Sequence, residues 1–338
     1  MVIIKKTNHK KQQIVMKKKK TLILMAFVIS LFTLTSCSDD DNNVVTPTPS
    51  NTIADFVAAN SDFSSLGAAL DRAGLTGVLD GTTAYTVFAP NNAAFDAFLA
   101  ANGFANLEAV PTDVLTQVLL NHVVSGTNTS SDLSTGYIKT LAEEATTQNT
   151  LSMYVNTSNG VVLNGAATVT TANVDVDNGV IHAVDAVIDL PTVVTFATAD
   201  STFGSLVAAL TREDSFTYVA TLSTKTSPAP FTVFAPTDQA FADLVAELDG
   251  VNSLADIPTA TLEATLNTHV VAQANVLAST LTDGMIVSTL GDNFTINTTN
   301  GATFTDLNGR TGNIIVTDVQ AVNGVIHAID KVILPSLE

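Results

Sequence analysis

The stretch Asn178-Gly-Val-Ile-His-Ala-Val-Asp-Ala-Val-Ile-Asp-Leu-Pro191 decides the fold, because it returns near the end of the chain as Asn323-Gly-Val-Ile-His-Ala-Ile-Asp-Lys-Val-Ile-Leu-Pro335. Asn-Gly is a turn pair, since both residues tolerate positive φ. The β-branched residues that follow favour a buried strand. One copy would be an ordinary turn and strand, but two copies indicate an internal duplication.

Two further blocks recur in the same order. Thr86-Val-Phe-Ala-Pro90 returns as Thr232-Val-Phe-Ala-Pro236, and each is followed by an Ala-Phe pair. Asn121-His-Val-Val124 returns as Thr268-His-Val-Val271. The offsets of 145 to 147 residues are far longer than the roughly 20 to 50 residues of a solenoid unit. The duplicated unit is therefore a whole domain, and we predict boundaries of 52–191 and 192–338.

The three blocks, found twice in order, resemble the characteristic blocks of the fasciclin domain over about residues 52 to 335. The resemblance implies an α+β fold of two tandem domains. Each would be a wedge with helices packed on a β-sandwich-like core of about seven strands. It also implies a secreted or surface-anchored adhesion or matrix protein.

The first 36 residues have the layout of a secretory signal peptide. They contain eight lysines and no acidic residue, and Lys17–Lys20 precede an apolar run that is short for a membrane span. Met16 stands directly before those lysines. The start is therefore either Met1 or Met16, and in the second case residues 1–15 are not part of the protein. We expect the chain to be secreted across an inner membrane.

Leu34-Thr-Ser-Cys37 resembles the bacterial lipobox, in which the cysteine is acylated and becomes the mature N-terminus. Cys37 is the only cysteine in the chain, so no disulfide forms within one molecule. Residues 37–51 combine this cysteine with an acidic run and a Pro-Thr-Pro segment, which predicts a flexible tether. The acidic run resembles the export signal of surface lipoproteins, so we expect a lipid anchor at the outer membrane or cell surface.

The charge of the chain limits its partners. The formal net charge is −18, and without the eight signal lysines six basic and 32 acidic residues remain, a formal charge of −26. This opposes binding to nucleic acid and to anionic lipid headgroups. Membrane contact is therefore predicted through the lipid alone, and no cofactor is predicted.

The local pattern predicts the same order of elements in each half. In the first, Thr52 caps a helix that carries Phe56, Phe63, Leu66 and Leu70 on one face and stops at Gly74. Phe88 and Phe95 are predicted core residues, and Pro111 opens a helix that ends at Asn121 and His122. In the second, the plan repeats with Asp200 as cap and Pro258 as the opening proline. Short strands follow in both halves.

Four histidines follow the signal, two at matching positions in each half: His122, His182, His269 and His327. Asp185 and Asp330 come three residues after the second histidine of each half, but positions three apart in a strand face opposite sides. Neither half supplies a third metal ligand or a cysteine nucleophile at a recognisable spacing. We therefore predict structural histidines, no metal site, no catalytic residues and no enzyme.

The family resemblance also directs attention to two pairs of positions. In animal members, integrin contact is attributed to a Tyr-His pair and an Asp-Ile pair, which here read Asn121-His122 and Asn173-Val174 in the first half. In the second half they read Thr268-His269 and Asp318-Val319. Candidate interaction residues are thus His122, His269, Asp318 and Val319.

The departures from the animal pattern favour an adhesion partner other than an animal-type integrin, namely a cell-surface or matrix protein or a glycan. The alternative is an envelope lipoprotein that binds a polysaccharide or small ligand for uptake, which would need a concave pocket.

Overall fold

The computed structural model describes residues 50–299 and 301–336. The signal segment, Cys37 and the linker up to residue 49 lie outside the described residues. The start site, the lipid attachment and the tether therefore stay predictions.

In the residues that the structure describes, the first copy consists of five helices and one sheet of seven strands. Its helices and strands, in chain order, are α1 (Ile53–Ala59), α2 (Ser64–Ala73), α3 (Thr76–Leu79), β1 (Tyr85–Pro90), α4 (Asn92–Ala101), α5 (Thr112–Leu120), β2 (Val123–Ser125), β3 (Gly136–Glu143), β4 (Thr150–Asn156), β5 (Val162–Leu163), β6 (Ala167–Val176) and β7 (Gly179–Val184). Single 3₁₀ turns lie at Ser61–Phe63 and Leu107–Ala109.

The second copy repeats this order. Its elements are α6 (Val193–Ala199), α7 (Gly204–Leu210), α8 (Tyr218–Leu222), β8 (Phe231–Pro236), α9 (Asp238–Glu247), α10 (Thr259–Thr268), β9 (Val270–Ala272), β10 (Ile286–Val287), β11 (Phe294–Asn297), β12 (Thr303–Thr305), β13 (Thr311–Ala321) and β14 (Gly324–Ile329). Its 3₁₀ turns are Ser201–Phe203, Leu254–Asp256 and Ala278–Thr280.

Each copy forms one seven-stranded sheet with the same topology. The strand orders are β2-β1-β7-β6-β5-β4-β3 and β9-β8-β14-β13-β12-β11-β10. One pair in each sheet is parallel, β1 with β7 and β8 with β14, and the other neighbours are antiparallel. The two motifs that define the repeat, Thr-Val-Phe-Ala-Pro and Gly-Val-Ile-His, therefore lie side by side as the central parallel pair. The α+β fold with seven strands in each copy is confirmed.

The first helix begins where the sequence predicts and ends earlier. Thr52 Oγ1 accepts a hydrogen bond from the Asp55 amide at 3.2 Å, and the Asp55 carboxylate accepts one from the Thr52 amide at 3.1 Å. The single helix expected as far as Gly74 is broken at Asn60, which has an extended backbone and caps the 3₁₀ turn through the Asp62 amide. The side chain of Asn60 competes with the backbone for this donor, which ends α1.

Apolar side chains pack on both faces of each sheet. On the helical side of the first copy, Phe95 packs with residues of α1, α2, α4 and α5, whereas Phe88 packs on the other face against Met153 and Val155. Both phenylalanines are buried, which confirms them as core residues. Burial of each large apolar side chain contributes about 1.5 to 3 kcal/mol. On the second face, side chains of β1 and β7 pack with those of β4 and β5, which gives the core its sandwich-like character.

The two copies contact each other through β3 and β4 of the first and α6 and β13 of the second. The Tyr137 hydroxyl donates to Asp200 Oδ2 at 2.9 Å, and the Gln320 amide donates to Ser152 Oγ at 3.0 Å. Lys139 Nζ donates to the Asp318 carbonyl at 2.8 Å. Direct side-chain and backbone bonds thus join the copies.

Within the described ranges, no single helix has the length and apolar character needed to cross a membrane, although the bent pair Val193–Ala199 and Ser201–Leu210 would meet both criteria if counted together.

Candidate functional site

His122 and His269 lie in the core, within two residues of the C-terminal ends of α5 and α10. His122 Nδ1 is 2.7 Å from the Val118 carbonyl, and His122 Nε2 accepts from the Ile188 amide at 2.8 Å. His269 repeats this with the Thr265 carbonyl at 2.7 Å and the Ile333 amide at 3.0 Å. A carbonyl can only accept and an amide can only donate, so Nδ1 carries the proton and the ring is neutral. Each imidazole thereby ties the end of a helix to the segment after the last strand.

Burial lowers the pKa of His122 and of His269 to about 4, against a weaker opposing effect of the carbonyl bound at Nδ1. A neutral ring with both nitrogens bonded to main chain has no lone pair left for a metal and no proton to exchange with a substrate. The geometry therefore gives these rings a structural role. An interaction role for His122 and His269 stays a prediction, although both are only 2% exposed.

We expect these two histidines to make the fold sensitive to mild acid. Because their folded pKa lies near 4 and the unfolded value is about 6.5, the unfolded state binds more protons between these pH values. The stability is complete above pH 6.5 and is lost as the pH falls toward 4, by about 3 kcal/mol per histidine. Urea unfolding followed by circular dichroism at pH 7 and pH 4.5 measures this loss.

The control for this prediction is the double variant His122→Gln, His269→Gln. It should be less stable than the wild type at pH 7 and lose less stability between pH 7 and pH 4.5. A pH dependence equal to that of the wild type would show that other groups cause it.

The second pair of histidines lies on the other face of the central strands. His182 stacks on Phe88 with ring centroids 5.4 Å apart, and His327 stacks on Phe234 at 5.3 Å. His182 Nε2 is 2.9 Å from the Asn128 carbonyl, and His327 Nε2 is 2.8 Å from the Val276 carbonyl. Burial lowers the pKa of both rings.

Each of these rings also accepts a bond from a bulge in the neighbouring strand. The amides of Asn173 and Asp318 donate to the Nδ1 atoms at 3.3 and 3.4 Å. The two histidines therefore hold the loop after the second strand of each copy against the sheet.

Asn173 and Asp318 occupy the same bulge in β6 and β13, with φ of 60° and 58°. Asn173 Oδ1 accepts from the Ser130 amide at 2.7 Å, and Asp318 Oδ1 accepts from the Ala278 amide at 2.8 Å. Asn and Asp tolerate this left-handed conformation better than other side chains with a Cβ. Asp318 is half-buried at the contact between the copies and Val319 is buried in the core. Within the described part of the chain, His269 makes no hydrogen bond with Asp318 or Val319, and the role of these residues in binding stays a prediction.

The asparagines of the two repeated Asn-Gly turns each make three side-chain hydrogen bonds to main-chain groups. Asn178 Oδ1 accepts from the Ile53 amide at 2.9 Å, and its Nδ2 donates to the carbonyls of Leu79 and Gly81, both at 2.7 Å. Asn323 makes the same three bonds with Val193, Leu222 and Thr224. The sequence predicted only a turn here. The side chain of each asparagine in fact joins the first helix of its copy to the sheet through hydrogen bonds.

No group of three or more His, Cys, Asp or Glu side chains is arranged to hold a metal in the part of the chain that the structure describes. An apolar cavity of about 40 Å³ lies among α6, α7, α8, α10 and the sheet of the second copy, next to His269. Sites for small molecules usually enclose about 300 to 1,000 Å³. The cavity is therefore a packing gap by size, and it brings no pair of reactive groups together.

Comparison with known proteins gives both halves the same assignment. The family model of the fasciclin domain matches residues 61–191 and 201–335. Protein sll1483 of Synechocystis sp. is 39% identical over 137 residues, which cover 40% of this chain and 72% of that protein.

Animal relatives match a larger part of the chain. Transforming growth factor-beta-induced protein ig-h3 of Sus scrofa is 28% identical over 259 residues, and human periostin is 28% identical over 283. The matches cover 76% and 78% of this chain, which spans only 35% and 30% of those two proteins. A solved FAS1 domain pair from the insect cell adhesion molecule Fasciclin I covers 80% of this chain and 93% of its own, with 20% identity and a TM-score of 0.45.

Proposed function

Because the chain belongs to the fasciclin-domain family and carries the domain twice, we propose that it is a non-enzymatic adhesion protein held at the cell surface by a lipid on Cys37. The observation that carries the proposal is the match of both halves to this family, which is linked to cell adhesion. The lipobox-like sequence at Cys37 supports the anchor. More than one acyl chain gives stable membrane attachment.

The contacts of the polar residues support a non-enzymatic role. Catalysis needs a nucleophile, acid or base that can reach a substrate. All four histidines of the two domains bond to main-chain groups through both ring nitrogens, and burial keeps them neutral. The four histidines that a catalytic hypothesis would use are thus taken up by the fold.

The charge supports a particular class of partner. With 32 acidic residues and few basic ones, the mature chain repels other polyanions, including nucleic acid. We propose a cell-surface or matrix protein, or a glycan, as the partner. The site of action would be the outer membrane or cell surface, reached by secretion across the inner membrane.

The alternative, a lipoprotein that collects a polysaccharide or small ligand for uptake, is less well supported. The apolar cavity beside His269 is about 40 Å³, and the open clefts of about 200 to 260 Å³ elsewhere on the two domains are also smaller than the roughly 300 to 1,000 Å³ of small-molecule sites.

The anchor and the adhesion can be tested in one experiment on intact cells of a Gram-negative host. We expect the wild-type chain to incorporate an alkyne-labelled fatty acid, to be removed by protease added outside, and to increase attachment of the cells to a matrix-coated surface. The variant Cys37→Ala should lose the label and the attachment.

The control is a lipoprotein of similar acidity with an unrelated fold, expressed at the same level. Equal attachment by the control would contradict adhesion, and a labelled chain that resists external protease would contradict surface exposure.

A further inference from the structure

The second domain has a socket that receives the first. The ring of Tyr137 in β3 contacts Phe196 edge-on with centroids 5.5 Å apart, and its hydroxyl bonds to Asp200. Tyr154, its partner across β3 and β4, contacts Tyr137 with the rings tilted by 54° and their centroids 5.1 Å apart, and it packs into the core of the second domain. Phe196 is fully buried as a result. We call the surface around Phe196 and Asp200 the socket, and Tyr137 with Tyr154 the plug.

The first domain carries the same socket. Phe56 and Asn60 stand where Phe196 and Asp200 stand, because the two N-terminal segments align without a gap from Thr52 and Thr192 onward. A cleft of about 240 Å³ lies there, and the second domain keeps a matching cleft of about 260 Å³ beside the seated Tyr137, so the volume alone does not distinguish the two sockets. Eight of its ten lining residues are the counterparts of the eight second-domain residues that line the cleft beside Tyr137: Asn60, Asp62, Phe63, Asn91, Thr170, Thr171, Val174 and Ala183.

The two sockets differ in whether an aromatic ring is covered. Phe56 is half-buried, whereas its counterpart Phe196 is completely buried by the plug. Within the described residues, no counterpart of Tyr137 contacts Phe56. The first socket thus presents part of an aromatic ring and a concave surface to whatever lies outside it.

The second domain also carries the counterpart of the plug. Tyr137 pairs with Tyr154 across β3 and β4, and Ile286 pairs with Thr295 across β10 and β11. In both sheets the flanking residues of the inner strand, Val155 in one and Ile296 in the other, face the core. Ile286 therefore points outward as Tyr137 does. It is 65% exposed, against the partial burial of Tyr137.

We propose that copies of this chain associate head to tail, with the β10–β11 edge of one molecule seated in the first-domain socket of the next. Ile286 takes the place of Tyr137 and packs on Phe56. The contact repeats the interface that already joins the two domains within one chain. This inference does not rest on the adhesion proposal, since it needs only the two surfaces and a second molecule.

The proposed contact between molecules lacks the hydrogen-bonded pair of Tyr137 and Asp200 that the contact within one chain contains. The hydroxyl of Tyr137 has no counterpart on Ile286, and the carboxylate of Asp200 is replaced by the amide of Asn60. Asp62, the one acidic residue that lines the first socket, is exposed, so its carboxylate stays in water at the edge of the contact and is not buried without a partner. Because the two surfaces are different, the contact is heterologous and builds open chains or rings rather than a two-fold dimer.

Cross-linking between single-cysteine variants tests this arrangement. In the full chain carrying Cys37→Ser and kept in mild detergent, one preparation carries Ile286→Cys and the other Thr171→Cys, an exposed socket position. A short bis-maleimide linker added to the mixture should give a covalent pair at least tenfold faster than in either preparation alone. The matched control replaces Ile286→Cys by Val114→Cys, which is exposed on α5 and lines neither surface.

Two results would overturn the proposal. Pairs of Ile286→Cys molecules forming as fast as the mixed pair would indicate an edge-to-edge contact instead. A mixed pair no faster than the Val114→Cys control would mean that the first socket has another occupant, such as the chain's own linker or a different fasciclin protein. Light scattering gives a second test, because the average molecular mass of the wild-type chain should rise with protein concentration. Ile286→Asp should abolish this rise, whereas Val114→Asp should leave it unchanged.

Discussion

Replacing Gly179 with alanine is expected to lower the free energy of unfolding of the first domain by about 3 kcal/mol or more, because steric overlap and backbone strain each cost about 1 to 3 kcal/mol. A Cβ at this position would stand 1.9 Å from the Tyr85 carbonyl oxygen, on the parallel neighbour of β7. The backbone also has φ of 144°, which L-residues rarely adopt. Gly324 is in the same situation, with its added Cβ 2.1 Å from the Phe231 oxygen.

Gly136 offers a matched control in the same domain. Its φ is 145°, but an added Cβ would have no neighbour within 4 Å. Gly136→Ala therefore carries the backbone strain without the collision, and the difference between the variants isolates the close approach of β1 and β7. Urea unfolding of both variants at pH 7 measures it. Equal losses would show that the parallel pair does not need glycine for contact.

Replacing Asn178 with alanine is expected to cost about 3 kcal/mol or more in the same measurement. The change leaves the Ile53 amide and the carbonyls of Leu79 and Gly81 without the partners that Asn178 provides. Each buried polar group left unpaired costs about 1 to 3 kcal/mol. The N-terminus of α1 should loosen first, which faster amide hydrogen exchange at Ile53 would report.

Asn159 is the matched control, because it also precedes a glycine in a turn but is exposed. Asn159→Ala should change the free energy of unfolding by about 0.5 kcal/mol or less, as surface substitutions usually do. Similar losses of stability for Asn178→Ala and Asn159→Ala would contradict a stabilising role of the Asn178 hydrogen bonds.

Local pattern was sufficient for much of the fold. The capping box at Thr52 and Asp55, the stop at Gly74 and the burial of Phe88 and Phe95 follow from side-chain chemistry and spacing within a few residues. The repeat of the blocks predicted two copies of one topology, which the sheet orders confirm.

Long-range polar contacts could not be predicted in this way. The partners of Asn178 are 97 to 125 residues away in sequence, and Tyr137 and Asp200 are 63 apart. A buried asparagine and an exposed one look alike in an Asn-Gly pair, because the turn preference is the same. The break at Asn60 does not follow from the local pattern either, since the apolar spacing of Phe56 and Phe63 continues across it.

The central claim is that the four histidine rings stabilise the two domains and that the protein binds its partner through other surfaces. Nitrogen-15 NMR of the histidine rings in the full chain, titrated from pH 7 to pH 4, tests it most directly. We expect neutral rings at pH 6, protonated on Nδ1 in His122 and His269 and on Nε2 in His182 and His327, with no change on addition of zinc. A charge at pH 6 on any of these four rings, or a shift of their nitrogens on addition of zinc, would contradict it.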